Sequence, residues 1–244
     1  MTASAPSDPA VDPAYLAATS FIDSDHADVR ALARAAAGEG DARTRAVRLY
    51  YAVRDRFLYD PYSVDVSTDG MRASGVIERG YGFCVNKAIL LAALARAEGI
   101  PARLGLADVK NHLATARLRA SMGTDVFFYH GFTELWLDGK WVKATPAFNI
   151  ELCEKFRVLP LDFDGETDSV FHPFDADNRR HMEYIADRGS FADLPYAEWR
   201  EAMLTHYPDL MREERRENTK PGGDFAAEAA AENQNHDTPS PRLA

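Results

Sequence analysis

Only two of the 244 residues are cysteine, Cys84 and Cys153. Two are too few for a disulfide framework or a thiolate zinc site. Each is left to serve as a small buried hydrophobe or as a single reactive thiol. No apolar run reaches 18 residues, so no segment reads as a membrane span; the longest such stretch, after Cys84, is interrupted by Arg96. Basic excess is missing too. A formal charge of −10 argues against nucleic acid and anionic membrane surfaces as partners. The first residues lack the basic and apolar segments of a secretory signal, so the expected location is cytoplasmic and reducing. No internal repeat is visible.

What the chain does have is a glycine loop, Gly80 and Gly82, that delivers Cys84 to the start of a strong helix pattern. From Val85 to Ala97 almost every residue is a good helix former, and only Asn86, Lys87 and Arg96 are polar. A helix apolar all round is buried within a larger fold. Gly99 and Pro101 end it. The spacing thus predicts a thiol at the N-terminus of the central helix, where free N–H groups and the helix dipole favour a thiolate. On these terms the Cys84 pKa is expected to fall below that of a free thiol.

The flanks read more simply. Residues 1–12 have little to bury and are expected to be a disordered leader, with residues 217–244 a solvated tail and 13–216 a single domain. A capped helix starts near Asp23–Asp25, a second runs from an Asp41 cap to about Phe57, and a short one spans Ala73 to Glu78. Residues 102–109 suit a strand, whereas 111–124 show no clear period. Asp125 to Asp138 is rich in aromatic and β-branched residues, and Asp138-Gly139 is a strong hairpin signal. A two-residue turn sets Trp136 opposite Trp141 and Glu134 opposite Lys143. His130, Phe132, Glu134 and Thr145 then share one face. Residues 150–156 suggest a short helix, residues 171–174 and 180–184 aromatic and polar segments that wrap the core, and Trp199, Met203, Tyr207 and Leu210 one face of a last helix.

A thiol at a helix start followed by a histidine on a sheet is the arrangement of acyl-transfer enzymes. Gly82-Phe-Cys84, the stretch from Leu90 to Arg103 ending Gly-Ile-Pro-Ala-Arg, and His130-Gly-Phe-Thr-Glu-Leu-Trp-Leu-Asp-Gly-Lys-Trp-Val142 together resemble the transglutaminase-like family of the papain-like superfamily. The resemblance covers about residues 45–150. It implies an α+β fold: N-terminal helices and a central Cys-bearing helix packed on an antiparallel β-sheet. It also implies a catalytic Cys84–His130 pair. One departure stands out, because Thr145 occupies the position where the family carries a catalytic Asp. Either Thr145 or Asn149 is then the third residue, with a neutral acceptor in place of a charge.

The reading that follows is a Cys–His thiol enzyme that cleaves or transfers an acyl group at an amide or peptide bond through a thioester, hydrolysis favoured over cross-linking. A peptide, a protein or a small amide is the expected substrate. The alternative is a catalytically silent binding or scaffold domain. The Cys84 N–H is the expected oxyanion donor, with Tyr81 a candidate second. His172, Asp175, Asp177, His181 and Glu183 match no zinc spacing, and no metal or cofactor is expected.

Overall fold

The computed structural model describes residues 11–63, 65–112, 114–171, 182–209, 211 and 225–236. Everything is arranged around helix α5 (Cys84–Ala97), in which every side chain from Cys84 to Arg96 is buried. Helices α1 (Ala27–Ala37), α2 (Ala42–Arg56) and α4 (Ala73–Arg79) pack against it on one side. On the other lies a four-stranded antiparallel sheet of order β5-β4-β3-β6, built from β3 (Ala102–Asn111), β4 (Val126–Leu137), β5 (Lys140–Ala144) and β6 (Met182–Phe191). A short parallel pair, β1 (Leu58–Tyr59) with β2 (Tyr81–Gly82), leads the chain into α5. The α+β architecture is as expected, and no helix among the described residues is long and apolar enough to cross a membrane.

The polar residues of an otherwise apolar helix are all engaged. Asn86 accepts from the Phe83 N–H and donates to the Gly70 carbonyl, tying the helix start to α3 (Thr68–Met71). Lys87, fully buried, donates to the carbonyls of Arg54 and Phe57 at the end of α2. Arg96 donates to the carbonyls of Ala102, Ala17 and Ala192. One guanidinium therefore gathers the N-terminal segment, the start of β3 and the chain leaving β6.

The hairpin follows the expected register, with Trp136 opposite Trp141, Glu134 opposite Lys143 and Leu137 opposite Lys140. Asp138 and Gly139 both take positive φ (48° and 81°), the geometry that matches the twist of the strands. Glu134 is not held by Lys143, however. Its carboxylate accepts from Arg103 at 2.6 Å and from Ser190, whereas Lys143 lies over the Phe132 ring. Neighbouring strands on the other side outcompete the cross-hairpin partner.

Several elements escape the sequence reading. Helix α6 (Ala116–Met122) occupies the unplaced stretch, capped by Thr115. Strand β6 was expected as wrapping; it is an edge strand exposed along most of its length, so it carries no clean alternation. Helix α7 (Ile150–Phe156) and helix α8 (Tyr196–His206) occupy the expected places, while Leu210 lies outside the described residues. The expected solvated tail contains a further helix, α9 (Phe225–His236), that packs on α7. Its Phe225 is buried against Tyr59, Tyr62 and Phe156, and Glu228 accepts from the Tyr62 hydroxyl. One aromatic anchor gives this Ala/Glu-rich segment enough apolar contact to dock.

Replacing Arg96 by Leu keeps an apolar helix yet removes the donor from one buried and two part-buried carbonyls, so about 2–4 kcal/mol of stability should be lost. Arg96→Lys should recover part of it. Urea unfolding of the three proteins measures this, and a loss below about 1 kcal/mol for Arg96→Leu would contradict the role.

Candidate active site

Cys84 is the first residue of α5, and Phe83 caps the helix in extended conformation. The thiol meets the sheet where β4 comes closest. A Cβ added to Gly131 would lie 2.7 Å from the Val85 Cα, so only glycine permits this approach. The reward is proximity, because the N–H groups of Gly131, Val85 and Cys84 itself lie near enough to the Cys84 sulfur to favour its ionised form. Thr133, two residues on, donates to the Ala88 carbonyl at 2.8 Å and fixes the same strand to the first turn of α5. The residue preceding Gly131 is His130. Sequence neighbours thus bring imidazole and thiol to one place.

Strand β4 is irregular just before His130. Its register with β3 shifts between Ala107 and Val109, and Tyr129 takes a left-handed φ of 55°. Such a bulge re-aims the next side chain. Three groups hold it. Buried Asp108 accepts from the Tyr129 N–H at 3.1 Å and is itself gripped by Arg188. Tyr207 accepts from the Phe128 N–H and donates to the Val126 carbonyl, bridging the strand across the irregularity. The Tyr129 hydroxyl donates to Glu198 on α8. None of these supports was read from sequence; a buried acid within a strand, Asp108, was the available signal.

Cys84 and His130 line one cavity of about 70 Å³, together with Tyr59, Phe83, Val85, Trp199 and Met203. Both are nearly inaccessible, at 6% and 4% exposure. Burial decides their protonation. It pushes the Cys84 thiol up to about 11, although the three N–H donors act in the opposite direction. It pushes His130 down to about 3. The expectation of a depressed thiol pKa is therefore corrected for this closed site: desolvation outweighs the helix terminus, and both groups are neutral at pH 7.

The remaining candidates are dispersed. Thr145 is buried at the end of the hairpin, with the Tyr184 phenol beside its side chain. Asn149 accepts from the Tyr59 N–H at 3.1 Å, which fixes β1 rather than the imidazole. His130 Nε2 has no hydrogen-bond partner, so neither Thr145 nor Asn149 holds the ring at that atom. Tyr81 does not line the cavity; it faces Arg79, whose Nε donates to its carbonyl. Cys153 is buried on α7, with burial raising its thiol to about 11 as well. Of the late polar cluster, His172, Asp175, Asp177 and His181 lie outside the described residues, and Glu183 pairs with His112. The described residues contain no metal-ligating group of three.

Two outcomes follow from this geometry. Gly131→Ala should cost about 1–3 kcal/mol by overpacking β4 on Val85, read as a lower denaturation midpoint. The pH dependence of stability should also be two-sided. His130 binds its proton more weakly folded than unfolded, so stability should fall as pH drops from about 6.5 toward 3. Cys84 holds its proton more tightly when folded, so stability should fall as pH rises from about 8.5 toward 11. His130→Phe should flatten the acid limb, and Cys84→Ala should make the alkaline one shallower, the remainder coming from Cys153; unchanged limbs would show that the pair is not desolvated.

None of the curated proteins compared with the chain matches it. Two solved structures resemble it weakly. A "putative cysteine protease" from Cytophaga hutchinsonii shares 18% identity at a TM-score of 0.42, over 72% of this chain and 51% of its own. A "putative protease" from Parabacteroides distasonis shares 18% identity at a TM-score of 0.35, over 48% and 23%. The chain spans about half the length of the first and a quarter of the second. Residues 30–146, just under half of the chain, which include Cys84, His130 and Thr145 but not Asn149, match the Transglutaminase-like superfamily.

Proposed function

We propose that the protein is a Cys–His thiol enzyme acting on an amide or peptide bond, with hydrolysis favoured over cross-linking. The observation that carries this reading is the Cys84 sulfur at the start of a buried helix, met by three backbone N–H groups and sharing its cavity with His130. Because both groups are neutral when the site is closed, the thiol proton moves to His130 as the sulfur attacks the carbonyl, instead of leaving beforehand. The N–H groups of the first turn of α5 are placed to stabilise the developing negative charge. Imidazolium then protonates the departing amine. A thioester on Cys84 remains, and water with His130 as base releases the acid.

Thr145 or Asn149 is assigned the third position, each indirectly. Thr145 meets the Tyr184 phenol, and Asn149 holds Tyr59, which lines the cavity. Substrate entry has to supply the contact that His130 Nε2 lacks. That same bare nitrogen favours the second reading, a silent binding domain that keeps the fold but not the turnover.

An activated ester separates the two. With p-nitrophenyl acetate the full-length protein should release about one equivalent of nitrophenolate in a burst, and mass spectrometry should place the acetyl group on Cys84. Cys84→Ala should show no burst while unfolding at the same temperature. His130→Ala should slow acylation about a hundredfold. Deacylation should proceed in water without added amine. Acetylation at Cys153, or none at all, would favour the silent domain.

A further inference from the structure

The cavity beyond Cys84 is apolar to a degree that the chemistry of the pair does not require. No Asp, Glu, Lys or Arg lines it. Leu118 and Met122 of α6, Trp199 and Met203 of α8, and Met211 form its far wall, and Val85 adjoins the sulfur. Three of these are methionines, which pack adaptably around apolar groups. The indole N–H of Trp199 is buried without a hydrogen-bond partner. Beside His130 Nε2, it is a second unpartnered polar atom on a mostly apolar lining.

From this, and resting on the thiol-enzyme reading above, we infer that the cavity is an acyl-group pocket selecting a compact, branched apolar group of about five heavy atoms next to the carbonyl that Cys84 attacks. Size comes from the volume. A water-sized group needs roughly 10–15 Å³ measured this way, so about 70 Å³ holds about five. An isobutyl group, as in a leucyl or 3-methylbutanoyl substrate, fills it. A longer straight chain does not fit without displacing a wall.

The side of the scissile bond follows from polarity. The leaving amine departs with a proton and becomes charged at neutral pH, so an apolar enclosure disfavours it. The acyl group is apolar throughout. The spare Trp199 donor suits an acceptor such as the substrate carbonyl; an amine, which arrives with hydrogens of its own, leaves it unsatisfied.

A series of p-nitrophenyl esters tests this with the full-length protein: acetate, butyrate, 3-methylbutanoate, octanoate and the monoester of glutarate. In each reaction the Cys84 thiol exchanges its proton for the acyl group, the acyl C–O bond breaks, and nitrophenolate leaves with the electron pair. Burst rates are divided by those of glutathione with the same ester. The normalised rate should rise about fourfold per methylene from acetate to 3-methylbutanoate, fall at octanoate, and be at least tenfold lower for the glutarate monoester than for butyrate. Met203→Ala, which enlarges the far wall, should move the optimum toward the longer chain. A Cys84 burst that is flat within twofold along the series, or an optimum that Met203→Ala leaves in place, would overturn the pocket while leaving the nucleophile standing. Absence of any Cys84-dependent burst would remove the pocket together with the thiol-enzyme reading on which it rests.

Discussion

The contact on which the site depends is the van der Waals approach of β4 to the first turn of α5, at Gly131 and Val85. A hydrogen atom in place of a side chain lets a strand backbone touch a helix terminus. The strand N–H then comes near the sulfur, and the preceding residue, His130, lines the same cavity. Thr133 binding the Ala88 carbonyl keeps the two from sliding. Packing and chemistry are one feature here: any motion that separated strand from helix would also separate thiol from imidazole.

Around this contact the protein spends its polar groups on geometry. Lys87, Asn86 and Arg96 use amine, amide and guanidinium side chains to satisfy carbonyls at chain junctions, leaving the helix surface otherwise apolar. Asp108, Arg188 and Tyr207 do the same for the bulge that aims His130. Buried polar groups of this kind are costly unless fully bonded, and fully bonded they specify one arrangement. Among the described residues six buried side-chain polar atoms go without a hydrogen bond, and two of them, His130 Nε2 and Trp199 Nε1, belong to residues that line the cavity. Groups left unsatisfied in the free protein are available to a bound one.

Much of this was legible in the residues. An unbroken run of Ala and Leu behind Cys84 announced a buried helix, and Asp138-Gly139 fixed the hairpin register to the residue. What stayed hidden depends on contacts between distant segments. Glu134 has an attractive partner in Lys143, yet the folded sheet offers Arg103 and Ser190 instead. Strand β6 has no alternation to read because it is exposed on its edge. The thiol pKa was the most instructive difference. A helix terminus is local and visible in sequence, whereas desolvation is set by Trp199, Met203 and Tyr59 folding over the cysteine, and it is the larger of the two effects.

The closed, neutral state of the pair bears on how the protein ages. Oxidation to sulfenic acid needs both thiolate character and access for the oxidant. With the Cys84 thiol pushed up to about 11 and 6% exposed, both are scarce. Peroxide would therefore find this sulfur slow to oxidise for as long as the cavity stays shut.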